Sequence, residues 1–323
     1  MQIESSEIRA KRFEMRFVHA PGGFLVDLKK YLEEKKAIVD FALEGHFPKD
    51  GEISSSLHKA IRHSLFAGGK RIRPIFSMAA FEAAGGRGDV ILPLACALEM
   101  IHTYSLIHDD LPSMDNDDFR RGRPTCHKVF GEGVALLAGD ALLTEAFRLM
   151  TDRTASGDPE QDGWLIVDIV NHVARAAGIS GMVGGQVVDI ESEGKDVDLP
   201  TVQFIHTHKT GAMILISIQI GAKLARAREE PLRALTHYGE RVGLAFQIAD
   251  DILNVEGEAA VLGKSTGSDR SRGKATYPGL LGLEESKRRA RELVGQAVDG
   301  LNLFGTEADP LREIARFIIE RKH

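Results

Sequence analysis

Cysteine is almost missing from this 323-residue chain. The two present, Cys96 and Cys126, are too few for a disulfide framework and lack metal-ligand spacing. Long apolar runs are missing as well. The longest, Ala212 to Ala222, is broken by Ser217 and Gln219 and falls short of the roughly 18 to 20 residues that a membrane span needs. No apolar stretch opens the chain either: its first twenty residues carry Glu4, Glu7 and Glu14 among basic residues, which argues against a secretory signal or transit peptide. Positive charge is not in surplus. With 41 Lys and Arg against 47 Asp and Glu the net charge is −6, so the chain has no general attraction to nucleic acid or to an anionic membrane. These absences describe a soluble protein with no membrane span and no nucleic-acid partner, expected in the cytoplasm. Any polyanion it handles must be held by local charge.

What is present is ordinary globular composition, 43% hydrophobic and 27% charged, which excludes wholesale disorder. Strand-like alternation is scarce, whereas apolar residues recur at three and four over long windows. Phe24, Leu25, Leu28, Tyr31 and Leu32 lead on to Ile38, Phe41 and Ala42. A second helix is expected over 54–67, opened by a serine cap and stopped by Gly68 and Gly69, and a third runs to Gly85 and Gly86. Further helices are expected over 90–111, 134–151, 164–182, 201–228, 231–256, 280–303 and 309–321. Breaks fall at 111–124, 152–163 and 257–279, none of them a linker between domains. The expectation is one all-α bundle whose helices surround a central cavity, the place where bundles build ligand and metal sites.

An acidic pair recurs: Ile107-His108-Asp109-Asp110-Leu111 is echoed by Ile248-Ala249-Asp250-Asp251-Ile252. Adjacent aspartates at the end of a helix repel each other and face the negative end of the macrodipole. A divalent cation would reverse both penalties, and hard oxygen ligands without a His or Cys cluster point to Mg2+ or Mn2+. After Asp109, Asp110 and Asp115 come Arg120, Arg121, Arg123 and Lys128, suited to grip phosphate oxygens. Taken alone, the segment equally fits a solvated acidic loop followed by a basic one. Asp250 and Asn254 stand four apart on one helical face with Asp251 beside them, on a helix whose Phe246, Ile248 and Ile252 mark it as buried. Gly68-Gly69-Lys70-Arg71-Ile72-Arg73-Pro74 is either a helix stop with a basic cap or an anion cradle built on Lys70 and Arg73. A glycine- and lysine-rich stretch from Gly263 and Lys264 to Lys274 and Pro278 has no Walker pattern.

Taken in order, the Gly68 to Pro74 motif, the stretch from Glu99 through His102, Asp109, Asp110 and Asp115 to Arg120 and Arg121, and Phe246-Gln247-Ile248-Ala249-Asp250-Asp251 resemble the trans-isoprenyl diphosphate synthases (polyprenyl synthetases), above all the bacterial farnesyl type. The resemblance covers about residues 25–323, read as one domain, with 1–24 a loose extension. It implies a helical isoprenoid synthase fold around a deep cavity, a homodimer, and head-to-tail condensation of an allylic diphosphate with isopentenyl diphosphate. It also implies three Mg2+ ions, with Mn2+ an alternative. Asp109 and Asp115 would be ligands supported by Asp110, and Asp250 would lead the second motif with Asp251 and Asn254. Arg120, Lys209 and Lys264 would hold the allylic diphosphate; Lys70, Arg73, His102 and Arg121 would hold isopentenyl diphosphate. Thr210 and Gln247 would flank the developing carbocation, and Lys274 would belong to a closing loop.

One position departs from the family pattern. Asn254 stands where an aspartate is common, keeping an oxygen ligand but losing a charge. Product length would follow from Tyr104 and Ser105, five and four residues before Asp109, about 6 to 7.5 Å along the helix. An aromatic five residues upstream goes with fifteen-carbon products in the family, so a farnesyl product is expected and a geranylgeranyl product is the alternative. A terpene cyclase has no need of the Lys70 and Arg73 cradle, and a non-catalytic subunit would be expected to lose the acidic pairs.

Overall fold

The computed structural model describes residues 27–47, 55–152, 159–260 and 275–320. Its order is α1 (Leu28–His46), α2 (Ser55–Leu65), α3 (Ile72–Ala83), α4 (Leu92–Asp109), strands β1 (Phe119–Arg120) and β2 (Arg123–Pro124), α5 (Cys126–Phe130), α6 (Glu132–Met150), α7 (Pro159–Ala177), α8 (Met182–Ser192) and α9 (Leu199–Ile205). A π-turn (His206–Gly211) follows, then α10 (Ala212–Leu224), α11 (Glu229–Ala260), α12 (Tyr277–Leu281), α13 (Leu283–Asp299) and α14 (Asp309–Glu320). Of the described residues, 78% are helical. Among the described residues the only sheet is the two-residue hairpin that pairs Arg120 with Arg123.

Two apolar clusters share a wall made by α3 and α10. Met78 and Phe81 of α3, with Met213, Ile216 and Ile220 of α10, pack into a cluster completed by α1, α2, α4, α6 and α7. Ile75, Phe76 and Ala79, with Ile214 and Ile218, face the other way, toward α11, α13 and α14. Both helices are therefore apolar on two sides, which is why neither has a clean polar face. Tyr238 of α11 is fully buried, and its hydroxyl donates to the Leu311 carbonyl of α14 at 2.6 Å, closing the far side of the bundle.

Several expected boundaries shift. The helix expected over 201–228 divides into α9, the π-turn and α10, an interruption that leaves no trace in apolar spacing. Residues 182–192 form α8, which was not foreseen as a helix of its own because Gly184 and Gly185 interrupt the pattern. Helix α11 extends to Ala260, so the second acidic pair sits inside a helix rather than at its end. The macrodipole penalty thus applies to Asp109 and Asp110 alone. Lys264, Lys274 and the N-terminal extension lie outside the described residues.

Candidate functional site

Helix α4 ends at Asp109, and the chain then turns back on itself. The backbone N–H of Asp115 donates to the Asp109 carbonyl at 2.8 Å, and that of Asn116, at a left-handed φ of 52°, donates to the Leu111 carbonyl at 3.0 Å. This fold-back explains the spacing of the first motif: it returns Asp115 to Asp109. Burial pushes the Asp109 carboxyl up to about 6; Lys209 opposes the shift and Asp115 adds to it. Burial thus makes the ionised Asp109 costly where it stands beside Asp115, and a bound cation would offset that cost.

Asp110 points the other way. Buried, it accepts from Arg120 Nε at 2.7 Å, while Arg120 Nη2 also lies 3.7 Å from Asp117. In this arrangement Asp110 holds Arg120 beside the motif, and the guanidinium reaches the field of Asp109.

A second, arginine-rich group lies two turns up α4. His102 is half-buried, and burial, then the charges of Arg73, Arg121, Arg120 and Arg71, drive its pKa well below 6.5, so the imidazole is neutral at neutral pH. Arg73 loses basicity to burial, which Glu99 opposes and Arg121 reinforces; its Nε has no hydrogen-bond partner among the described residues. An orphaned donor in a cluster of like charges fits an absent anion. Arg121 donates to the Gly68 carbonyl and lies over Gly69, where an added Cβ would stand 2.5 Å from its Nη1. Gly69 adopts φ 124°, a conformation that favours glycine, and the guanidinium packs where a Cβ would stand. Lys70 is exposed at the mouth of α3.

Arg71, between those cationic positions, faces inward. It adopts φ 52° and bonds to Asp40 Oδ1 at 2.8 Å, Glu99 Oε1 at 2.8 Å and the Leu65 carbonyl at 2.7 Å. The three bonds pin the motif to α1, α4 and α2 and hold a backbone conformation that a non-glycine residue seldom adopts.

The π-turn carries Lys209 and Thr210. Lys209 Nζ pairs with Asp189 Oδ2 of α8 at 2.7 Å, and its charge is felt at Asp109. Helix α8 can approach because Gly185 meets the backbone of His208 and Lys209 where any Cβ would collide. The π-turn also lies against α11, which presents Asp250 and Asn254 on its exposed face, with Gln247 half-buried one turn earlier. Asp251, by contrast, is buried. Its Oδ2 accepts from His206 Nε2 and from the Tyr277 backbone N–H, both at 2.9 Å.

Below Asp109, the buried Tyr104 ring meets His108 edge-on at 5.6 Å, and His108 Nε2 lies 3.0 Å from the Leu136 carbonyl of α6. Ser105 donates to the His102 carbonyl at 2.9 Å. The structure therefore gathers Asp109, Asp115, Arg120 and Lys209 in one electrostatic neighbourhood and Arg73, His102 and Arg121 in another. Asp189, His206, His108, Arg71 and the counter-charge Glu99 were given no role from sequence; their charged partners lie 20 or more residues away, and the Tyr104 ring lies four residues from His108. Among the described residues no three acidic, His or Cys side chains converge closely enough to bind a cation unaided.

A family model described as polyprenyl synthetase matches residues 54–302, spanning every described motif. The chain belongs to that family. It is therefore a prenyltransferase-type enzyme of a family that acts on isoprenyl diphosphates. A geranylgeranyl diphosphate synthase from Cyanophora paradoxa is 47% identical over 298 residues, 92% of this chain and 97% of that protein. A farnesyl diphosphate synthase from Geobacillus stearothermophilus is 45% identical over 298 residues, 92% of this chain and 99% of that one. The crystal structure of an FPP/GFPP synthase from Zymomonas mobilis superposes with a TM-score of 0.81 at 37% identity, covering 92% of this chain and all of that one. The all-α isoprenoid synthase fold is thus shared. Among the described residues no helix of this family member is long and apolar enough to cross a membrane.

Proposed function

We propose that this polyprenyl synthetase condenses isopentenyl diphosphate with dimethylallyl or geranyl diphosphate, in the presence of Mg2+, and releases farnesyl diphosphate. The observation that carries this reading is the pairing of two unlike anion sites on α4. His102 and Asp109 stand seven residues apart, hence on one face and roughly 10 Å apart along the axis. One end gathers Arg73 and Arg121 around a neutral His102; the other gathers Asp109 and Asp115 beside Lys209 and Arg120. Two diphosphates held by different chemistry is what a condensation of two diphosphate substrates requires.

Arg73, Arg121 and Lys70 hold the diphosphate of isopentenyl diphosphate, and His102, neutral, contributes an N–H donor rather than a charge. Lys209 and Arg120 face the allylic diphosphate and stabilise the charge that grows on it as the C–O bond breaks. Mg2+ held by Asp109, Asp115 and Asp250, with Asn254 at the margin, would supply Lewis-acid stabilisation of the same leaving group. The oxygen-only donor set and the burial of the Asp109 carboxyl beside Asp115 fit such an ion, and Mn2+ fits by the same chemistry. Thr210 and the Gln247 side chain present neutral oxygens to the cation, which the double bond of isopentenyl diphosphate then attacks; the new cation loses its C2 proton to the departed diphosphate and forms the product's double bond. Lys264 and Lys274 keep the roles that the family resemblance gives them.

The farnesyl product rests on Tyr104, a bulky ring buried five residues before Asp109 and braced by His108. The second reading, a twenty-carbon product, is favoured by relatives of similar identity named as geranylgeranyl diphosphate synthases. A homodimer follows from the resemblance. A cytoplasmic location accords with two buried, unpaired cysteines, of which the Cys96 thiol is pushed up to about 12 by burial. The proposal is tested by incubating the purified protein with both substrates and Mg2+ and following pyrophosphate. Release that needs all three supports condensation, whereas release from the allylic diphosphate alone supports cyclisation or hydrolysis.

A further inference from the structure

We propose that His206 and Asp251 are positioning residues that hold the π-turn bearing Lys209 and Thr210, and that the two aspartates of the second acidic pair divide their work: Asp250 serves the site and Asp251 serves the fold of the turn. The inference rests on the prenyl-transfer reading for its kinetic arm but on geometry alone for its structural one.

A π-turn is a rare interruption of an α-helix, found frequently at functional sites. One i→i+5 turn spans His206 to Gly211 and so contains both Lys209 and Thr210. Its support comes from two sides. On one, α8 contributes the Asp189 partner of Lys209 and the close approach at Gly185. On the other, His206, the first residue of the turn, reaches Asp251 of α11.

The second contact is built for rigidity. The side chains of His206 and Asp251 are about one-tenth exposed. A carboxylate can only accept, so His206 Nε2 carries the proton and donates. The same Oδ2 also accepts the Tyr277 backbone N–H, and the Tyr277 ring stacks on the His206 imidazole with centroids 5.5 Å apart and planes 23° apart. Three elements, the π-turn, α11 and α12, are thereby tied at one oxygen atom. Asp250, the preceding residue, is exposed, about 100° round the helix. One carboxylate of the pair is thus open to solvent and the other is buried and engaged. Removing the His206 donor would leave the buried carboxylate one partner short, so the turn would relax and Lys209 would lose its aim.

The test uses four single variants of the full chain and the double variant His206→Phe with Asp251→Asn. His206→Phe keeps the stack on Tyr277 and deletes the donor; His206→Gln restores an N–H donor; Asp251→Asn weakens the acceptor; Asp250→Asn removes the exposed carboxylate. Turnover, half-saturating Mg2+ and amide hydrogen exchange over 206–211 are measured for each. His206→Phe and Asp251→Asn should each lower kcat about tenfold, with half-saturating Mg2+ changed by less than about twofold and faster exchange confined to the turn. The double variant should be no worse than either single, because both delete one interaction. His206→Gln should recover most of the rate, and Asp250→Asn should raise half-saturating Mg2+ without altering exchange. The proposal is overturned if Asp251→Asn raises half-saturating Mg2+ as Asp250→Asn does, or if His206→Phe leaves both rate and exchange unchanged. Should the wild-type protein show no prenyl transfer, the exchange measurement still decides this inference, so its failure is distinguishable from failure of the functional reading.

Discussion

Lys209 of the π-turn and Asp189 of α8 form an ion pair 2.7 Å long, with the lysine one-quarter exposed and the aspartate 13% exposed. The pair aims an ammonium group toward Asp109, whose carboxyl it helps to keep charged. Asp189→Asn should free Lys209 to other rotamers. Turnover is expected to fall about tenfold, equal to ~1.4 kcal/mol of barrier, with little change in thermal stability. Steady-state kinetics beside a melting curve separate the two.

Asp109 sets function against stability. Its folded carboxyl, at about 6, lies above its ordinary value of 3.8. Between these values the folded state binds more protons than the unfolded one, so its contribution to stability falls as pH rises through that window. At pH 7 without Mg2+, Asp109→Asn should therefore raise the melting temperature while lowering turnover at least about a hundredfold. Chelation of Mg2+ should abolish wild-type turnover, and added Mg2+ should restore it. Calorimetry and a pyrophosphate assay on the same samples check both.

The buried pair of Arg71 and Glu99, each 2% exposed, holds the cationic motif in place. Arg71→Ala strands Glu99 and should destabilise the protein by about 3–5 kcal/mol. Chemical denaturation measures it directly, and a shift below about 1 kcal/mol would mean that the carboxylate has found water instead.

His102 gives the opposite pH signature to Asp109. Its folded pKa is well below 6.5, so below 6.5 the unfolded state takes up a proton that the folded state refuses, and stability is lost as pH falls. His102→Gln should flatten the fall in melting temperature on the acid side of 6.5 relative to wild type. The difference between the two curves is the readout, since Asp109 contributes a slope of opposite sign in the same region.

Tyr104→Ala should lengthen the product. Because the ring meets His108, which reaches the Leu136 carbonyl, His108→Ala should do the same to a smaller degree by loosening the tyrosine. Unchanged farnesyl diphosphate from Tyr104→Ala would remove the tyrosine from the length-setting role.

Much of this arrangement was legible in the sequence, and the gaps have physical causes. Helical periodicity placed α4, α6, α13 and α14 within a few residues, because each buries a continuous stripe. It missed the π-turn, since one extra residue per turn leaves the apolar spacing almost intact. It also placed the second acidic pair too near a helix end. Apolar periodicity does not resolve how far α11 runs past Asp251 to Ala260. The acidic and basic motifs stood out because their charges are crowded in sequence. Asp189, His206 and the buried Arg71 with Glu99 did not, because their partners lie 20, 45 and 28 residues away and meet only when α8, α11 and α4 pack. Asp110 and Asp251 look equivalent to their neighbours in sequence. Burial alone separates them: each turns inward to a partner while Asp250 remains exposed and Asp109 only half-buried.

The most direct test of the central claim is the identity of the product formed by the purified wild-type protein from isopentenyl diphosphate and geranyl diphosphate with Mg2+. Chromatography and mass measurement should find farnesyl diphosphate and an equal amount of pyrophosphate, with isopentenyl diphosphate consumed. A hydrocarbon product, or recovery of both substrates unchanged, would contradict the account.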